Sequence, residues 1–117
     1  IAEHTAAAHH LKVAVDISHG TPPIVNPEEP IDWARRAVTS LLGKQALKSL
    51  STLNMGGEDF AFYMQKLPGC FLRIGARENG GDVIPGHNPK FYAADESIFV
   101  GAAVLAETAR IASEALR

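Results

Sequence analysis

The chain has 117 residues, 46% of them hydrophobic and 21% charged, the values of a globular protein rather than a disordered one. Its net charge of −2 and the lack of any Lys/Arg cluster argue against a nucleic-acid partner. A single cysteine, Cys70, excludes an internal disulfide framework and fits a reducing, cytoplasmic compartment; no apolar run reaches membrane-spanning length.

Residues 1–11 are Ala-rich and suited to helix, so the sequence opens inside an element, as a piece of something longer would. Residues 12–18 alternate strictly, with Val13, Val15 and Ile17 on one side and Lys12, Ala14, Asp16 and Ser18 on the other, the pattern of a half-buried strand. One helix and one strand cannot bury an apolar face alone; their partners are expected elsewhere. Residues 20–27 hold Pro22, Pro23 and Pro27 and read as a semi-rigid linker between domains. Pro30 then opens a helix with Ile31, Ala34, Val38, Leu41 and Leu42 on its apolar stripe, Arg35, Arg36 and Lys44 off it, and Gly43 as C-cap.

Residues 48–53 read as a short strand leading into Asn54-Met55-Gly56-Gly57-Glu58-Asp59-Phe60. Paired glycines permit close backbone approach and positive φ, and Glu58 and Asp59 suit the negative-charge preference of a helix start. Phe60, Tyr63, Met64 and Leu67 follow at helical spacing, which predicts a core-facing stripe. A glycine loop that delivers a helix N-terminus makes Gly56, Gly57 and Glu58 candidates for holding an anion or carboxylate; a tight turn before a helix is the plainer alternative. Pro68-Gly69 ends this helix, and residues 70–74 read as a buried strand in which Cys70 is a small hydrophobe rather than a nucleophile. Residues 77–86 form a loop, and a last helix runs from an N-cap near Asp95 to about Leu116, apolar almost all round over residues 98–106. The order α-β, linker, α-β-α-β-α predicts a three-layer α/β domain preceded by the end of a second domain.

Of the five histidines, His4, His9 and His10 share no helical face and read as solvated, while His19 lies at a strand end. His87 stands apart, in a loop between a strand and a helix, stiffened by Gly86 and by Pro89, which restricts Asn88. Open α/β sheets place ligands and chemistry at such loops. One histidine makes no site, since zinc needs at least three protein ligands and no second ligand stands at suitable spacing. A phosphate loop, a nucleophile elbow and a Cys-x-x-Cys pair are all lacking.

Taken together, Met55-Gly56-Gly57-Glu58-Asp59-Phe60-Ala61, the Pro68-Gly69 apolar run, His87-x-Pro-x-Phe followed by Asp95-Glu96, and Gly20-x-Pro-Pro-x-Val-Asn26 upstream resemble the C-terminal part of the metal-dependent aminoacylase and carboxypeptidase family. The likeness is to its amidohydrolase branch, which includes hippurate hydrolases, N-acyl-amino-acid amidohydrolases and plant hydrolases of auxin–amino-acid conjugates. The resemblance implies a catalytic α/β domain with two divalent metal ions, zinc or manganese, and an inserted α+β lid domain that forms a homodimer. On it, residues 1–21 would end the lid, residues 22–30 would be the linker, and residues 31–117 would be the C-terminal part of the catalytic domain. His87 matches a metal ligand, and Gly56, Gly57 and Glu58 match the border of the substrate pocket. The other metal ligands and the general-base glutamate belong to N-terminal segments that this sequence does not contain, so no catalytic residue is expected here and the isolated chain is expected to be inactive and to bind metal weakly or not at all. The implied reaction is hydrolysis of the amide bond of a small N-acyl amino acid. The alternative is a non-catalytic α/β interaction or regulatory domain in which His87 and the glycine loop are structural.

Overall fold

The computed structural model describes residues 1–50 and 55–117. Four α-helices follow one another among these residues: α1 (Ala2–Ala8), α2 (Glu28–Leu42), α3 (Phe60–Met64) and α4 (Asp95–Ala115), with a 3-10 turn at Lys44–Ala46. Helix α2 carries Glu28 and Glu29 in its first turn, where negative charge meets the positive end of the helix dipole. Pro30 sits in the same turn, where its missing N–H has no intrahelical acceptor to lose. Gly43 caps the other end at φ +82°, ψ 160°, with its N–H donating to the Thr39 carbonyl. That backbone region is open to glycine almost alone.

Helices α2 and α4 pack against each other. Helix α2 buries Pro30, Ala34 and Ala37, at i, i+4, i+7, and α4 buries Val104 and Ile111. Gly101 on the same helix leaves room for Ile74, whose Cδ1 lies 3.8 Å from where a Cβ would stand. With Ala61 of α3, these residues are the buried apolar core among the described residues: Ala34, Ala37, Ala61, Val104 and Ile111.

That core is too small for the chain around it. The accessible surface is 9998 Å², whereas a folded monomer of 12.5 kDa exposes about 6,200 Å². The radius of gyration is 20.4 Å, against about 13 Å for a compact domain of this length. Much of the excess is apolar: Ile98, Phe99 and Leu105 of α4 are 62–75% exposed, so one side of that helix has no cover within the described residues.

The predicted helices stand, with α1 ending three residues early and Leu41 and Leu42 exposed rather than core. The predicted strands do not: no strand occurs among the described residues, and residues 12–18 and 70–74 carry no regular secondary structure. A strand exists through ladder hydrogen bonds to a neighbour, and neither segment has a backbone neighbour here. The three-layer α/β arrangement is therefore not formed among the described residues. Part of the strand predicted over residues 48–53, and Asn54, lie outside the described residues. Helix α3 is five residues long, too short to carry the stripe predicted for it. Phe60 and Met64 are half-buried, while Tyr63 and Leu67 are each 67% exposed.

Candidate functional site

His87 stands in a tight turn built by its neighbours. The Asn88 N–H donates to the Pro85 carbonyl at 3.3 Å, and the Phe91 N–H donates to the Asn88 carbonyl at 2.9 Å. The Asn88 side-chain oxygen also accepts from the Lys90 N–H at 2.9 Å, an Asx turn that fixes the chain just after the histidine. Within this turn His87 adopts φ +66°, a left-handed conformation uncommon for non-glycine residues and concentrated at functional sites. The imidazole is exposed.

The loop bearing the turn is closed at its base by the Ala94 N–H donating to the Ala76 carbonyl at 2.8 Å. A second turn, with Gly80 at φ +75° and the Gly81 N–H on the Glu78 carbonyl, lies within it. Tyr92 crosses the loop: desolvation, then the charge of Glu78 and a hydrogen bond to it, push its phenol pKa up. Between this loop and residues 73–77 runs an open groove of about 520 Å³, lined in part by Arg73, Arg77, Asp82, Gly86, Phe91 and Tyr92. Arg73 and Arg77, which the sequence does not single out, both line it.

The glycine loop meets the linker at Thr21. A Cβ added at Gly57 would stand 2.5 Å from the Thr21 hydroxyl oxygen, so a larger residue here would require the Thr21 side chain to turn away. Gly56 and Gly57 do not use positive φ; the glycines that do, among the described residues, are Gly43 and Gly80. The Glu58 carboxylate accepts the Phe60 N–H at 3.2 Å, and turn bonds from Ala61 to Glu58 and from Phe62 to Asp59 start α3. One donor of the helix start is thus already taken by the chain's own carboxylate. Gly56 and Gly57 are exposed and Glu58 is half-buried.

Cys70 is half-buried with its thiol directed at the Pro30 carbonyl, 3.4 Å away. Burial pushes its pKa up, which keeps it a thiol rather than a nucleophilic thiolate. His4, His9, His10 and His19 are exposed and lie away from any ligand cluster. Among the described residues no group of three or more His, Cys, Asp and Glu side chains is placed to hold a metal ion. The residues present do not fit a metal centre by themselves; His87 offers a single imidazole.

In the sequence Asn26 has a place in a motif but no partner, and Thr21 has no role. The Phe71 N–H donates to the Asn26 Oδ1 at 2.8 Å, and the Asn26 Nδ2 donates to the Phe71 carbonyl at 3.1 Å. The asparagine side chain thereby takes the place of a neighbouring strand. Asn26 was visible as the end of a proline-rich stretch, but its partner lies 45 residues away and no local signal announces it.

The model of peptidase family M20/M25/M40 matches residues 3–111. Among curated proteins, the chain is 38% identical over 89 residues to an IAA-amino acid hydrolase (ILR1-like 6) of Arabidopsis thaliana, covering 75% of the chain and 19% of that protein. It is 30% identical over 115 residues to an N-acetyl-L-cysteine deacetylase of Bacillus subtilis, covering 94% of the chain and 25% of that protein. It is also 29% identical over 108 residues to a putative glutamate–cysteine ligase 2-3 of Rhodococcus jostii, covering 92% of the chain but 14% of that much longer protein. The chain thus spans a quarter or less of the length of these relatives. No solved structure is a significant match.

Proposed function

This chain belongs to peptidase family M20/M25/M40, and from that membership we propose that it is the C-terminal portion of a metal-dependent amidohydrolase acting on N-acyl amino acids. The observation that carries the reading is the family match over residues 3–111. Two relatives bear names of enzymes that cleave an acyl group from an amino acid. The excess surface and extended shape support a portion of a larger body and count against a self-contained interaction module.

In this reading residues 1–21 end a lid domain through which the intact enzyme dimerises, residues 22–30 are the linker, and residues 31–117 complete an α/β catalytic domain. Among the described residues helix α1 buries none of its own residues and packs on no other helix, which supports its assignment to a separate unit. His87 supplies one imidazole to a site for divalent metal, zinc or manganese, whose other ligands lie outside this chain. A rigid turn suits that role, because a ligand held in one backbone geometry loses little freedom on binding. Gly56, Gly57 and Glu58 border the substrate pocket, where the main chain is exposed enough to meet a small carboxylate. The general base lies outside residues 1–117, so the isolated chain does not hydrolyse.

The test is hydrolysis by the intact protein of a panel of N-acetyl, N-benzoyl and indole-acetyl amino acids, with release of the free amino acid as readout. Turnover that is abolished by chelation and restored by zinc or manganese supports the reading. Turnover unaffected by chelation, or none with any member of the panel, contradicts it.

A further inference from the structure

The contacts around the linker close into a ring. Thr21 lies against Gly57, its hydroxyl 2.5 Å from where a Cβ would otherwise stand. Three residues on, the Phe60 N–H is held by the Glu58 carboxylate. The Phe60 ring packs against Phe71 in a tilted arrangement with centroids 6.2 Å apart, and its Cζ lies 3.5 Å from where a Gly69 Cβ would stand. The main chain of Phe71 is gripped by both polar atoms of Asn26, which is five residues from Thr21, where the ring began. One residue before Phe71, the Cys70 thiol adds its bond to Pro30. Three segments distant in sequence are tied together by side chains that are small or rigid, with Pro22 and Pro23 stiffening the span between the two grips. Gly20, just outside the ring, has nothing within 4 Å of its Cβ position.

We propose that Thr21 and Asn26 are positioning residues: the linker is a two-point clamp that sets where residues 56–58 stand relative to the segment starting at Phe71. The clamp rests only on these contacts; that the positioned loop faces substrate rests on the function proposed above. Freezing three segments in advance removes an ordering cost from ligand binding, so loosening the clamp weakens affinity more than turnover.

The experiment uses the intact protein, with hydrogen exchange of residues 55–64 read alongside kinetics on an N-acyl amino acid. Gly57→Ala drives a Cβ into the Thr21 hydroxyl; the loop exchanges about tenfold faster and KM rises about tenfold, with kcat little changed. Thr21→Ala alone loosens the loop by a smaller factor. The double variant is no worse than Thr21→Ala, because the hydroxyl that clashed is gone and the Thr21 Cβ is 3.7 Å away, an ordinary contact. Asn26→Asp keeps the acceptor for the Phe71 N–H but sets an oxygen against the Phe71 carbonyl, and it speeds exchange at residues 55–64 across the ring, even where Gly57→Ala fails to fold. A double variant as impaired as Gly57→Ala, or an Asn26→Asp loop with unchanged exchange, overturns the clamp. Coupled exchange in a protein whose parent hydrolyses no N-acyl amino acid upholds the clamp and removes its proposed substrate.

Discussion

Leu105 offers a test of whether this chain is a piece of a larger core, because its cost of truncation depends on what covers it. On α4 it is 62% exposed, one residue from Val104, which is 2% exposed in the contact with α2. Val104→Ala removes two methyl groups from a packed contact, about 1.6 kcal/mol of transfer free energy, and a cavity contribution raises this to about 2 kcal/mol. It costs that much wherever α2 and α4 are paired. Leu105→Ala within the isolated 117 residues changes stability by less than about 0.5 kcal/mol, as for any exposed site. In the intact protein, with the bare side of α4 covered, the same substitution costs about 2–5 kcal/mol, the value of a buried leucine. Urea unfolding followed by far-UV circular dichroism, on both variants in both lengths of protein, gives the four numbers. A Leu105→Ala cost below about 0.5 kcal/mol in the intact protein refutes the reasoning, since the face would then be solvated in every context.

Three further outcomes follow from particular geometries. Gly43→Ala places a side chain at φ +82°, ψ 160° and lowers stability by about 1–3 kcal/mol, measured by thermal melting; a neutral result would mean that the end of α2 is not held in this conformation. Cys70, its thiol pKa raised by burial, reacts with iodoacetamide at pH 8 more slowly than a cysteine in an unfolded peptide, and equal rates would place it on an open surface. Glu107 is held below the usual carboxylate range by its hydrogen bond from Arg110 and that cation's charge. Its folded pKa is below the unfolded one, so this pair stabilises above the unfolded carboxylate pKa and ceases to do so as pH falls through the folded value. Arg110→Met removes that acid-limb dependence and raises the Glu107 titration midpoint seen by NMR; an unmoved midpoint would show that the pair does not persist in solution.

Helices were legible in the sequence because their signals are local. Glu28, Glu29 and Pro30 mark a start, Gly43 marks a stop, and Asp95 and Glu96 announce α4 within a residue of its first turn. The strands were a different case: the alternation of residues 12–18 is a real pattern, but a strand needs a neighbour, and for residues 70–74 the partner found is one asparagine side chain. Tyr63 and Leu67 show the same limit, apolar at helical spacing yet exposed, since the surface that would cover them is not among the described residues. At the candidate site, Gly86, Asn88 and Pro89 foretold a stiff turn around His87, and the turn is there with the histidine left-handed. Paired glycines permit both close approach and positive φ; Gly57 lies close to Thr21 without positive φ, and the identity of that partner is what no local pattern reveals.

The central claim is that His87 is one ligand of a metal site that the rest of the protein completes. Metal content of the intact protein, with and without His87→Ala, measured beside calorimetric titration of the isolated chain with zinc, tests it most directly. The account predicts bound divalent metal in the intact protein, its sharp loss in His87→Ala with the fold retained, and no stoichiometric zinc binding by the isolated chain. Tight stoichiometric binding by the chain alone that vanishes in His87→Ala, or an intact His87→Ala variant with undiminished metal, would contradict it.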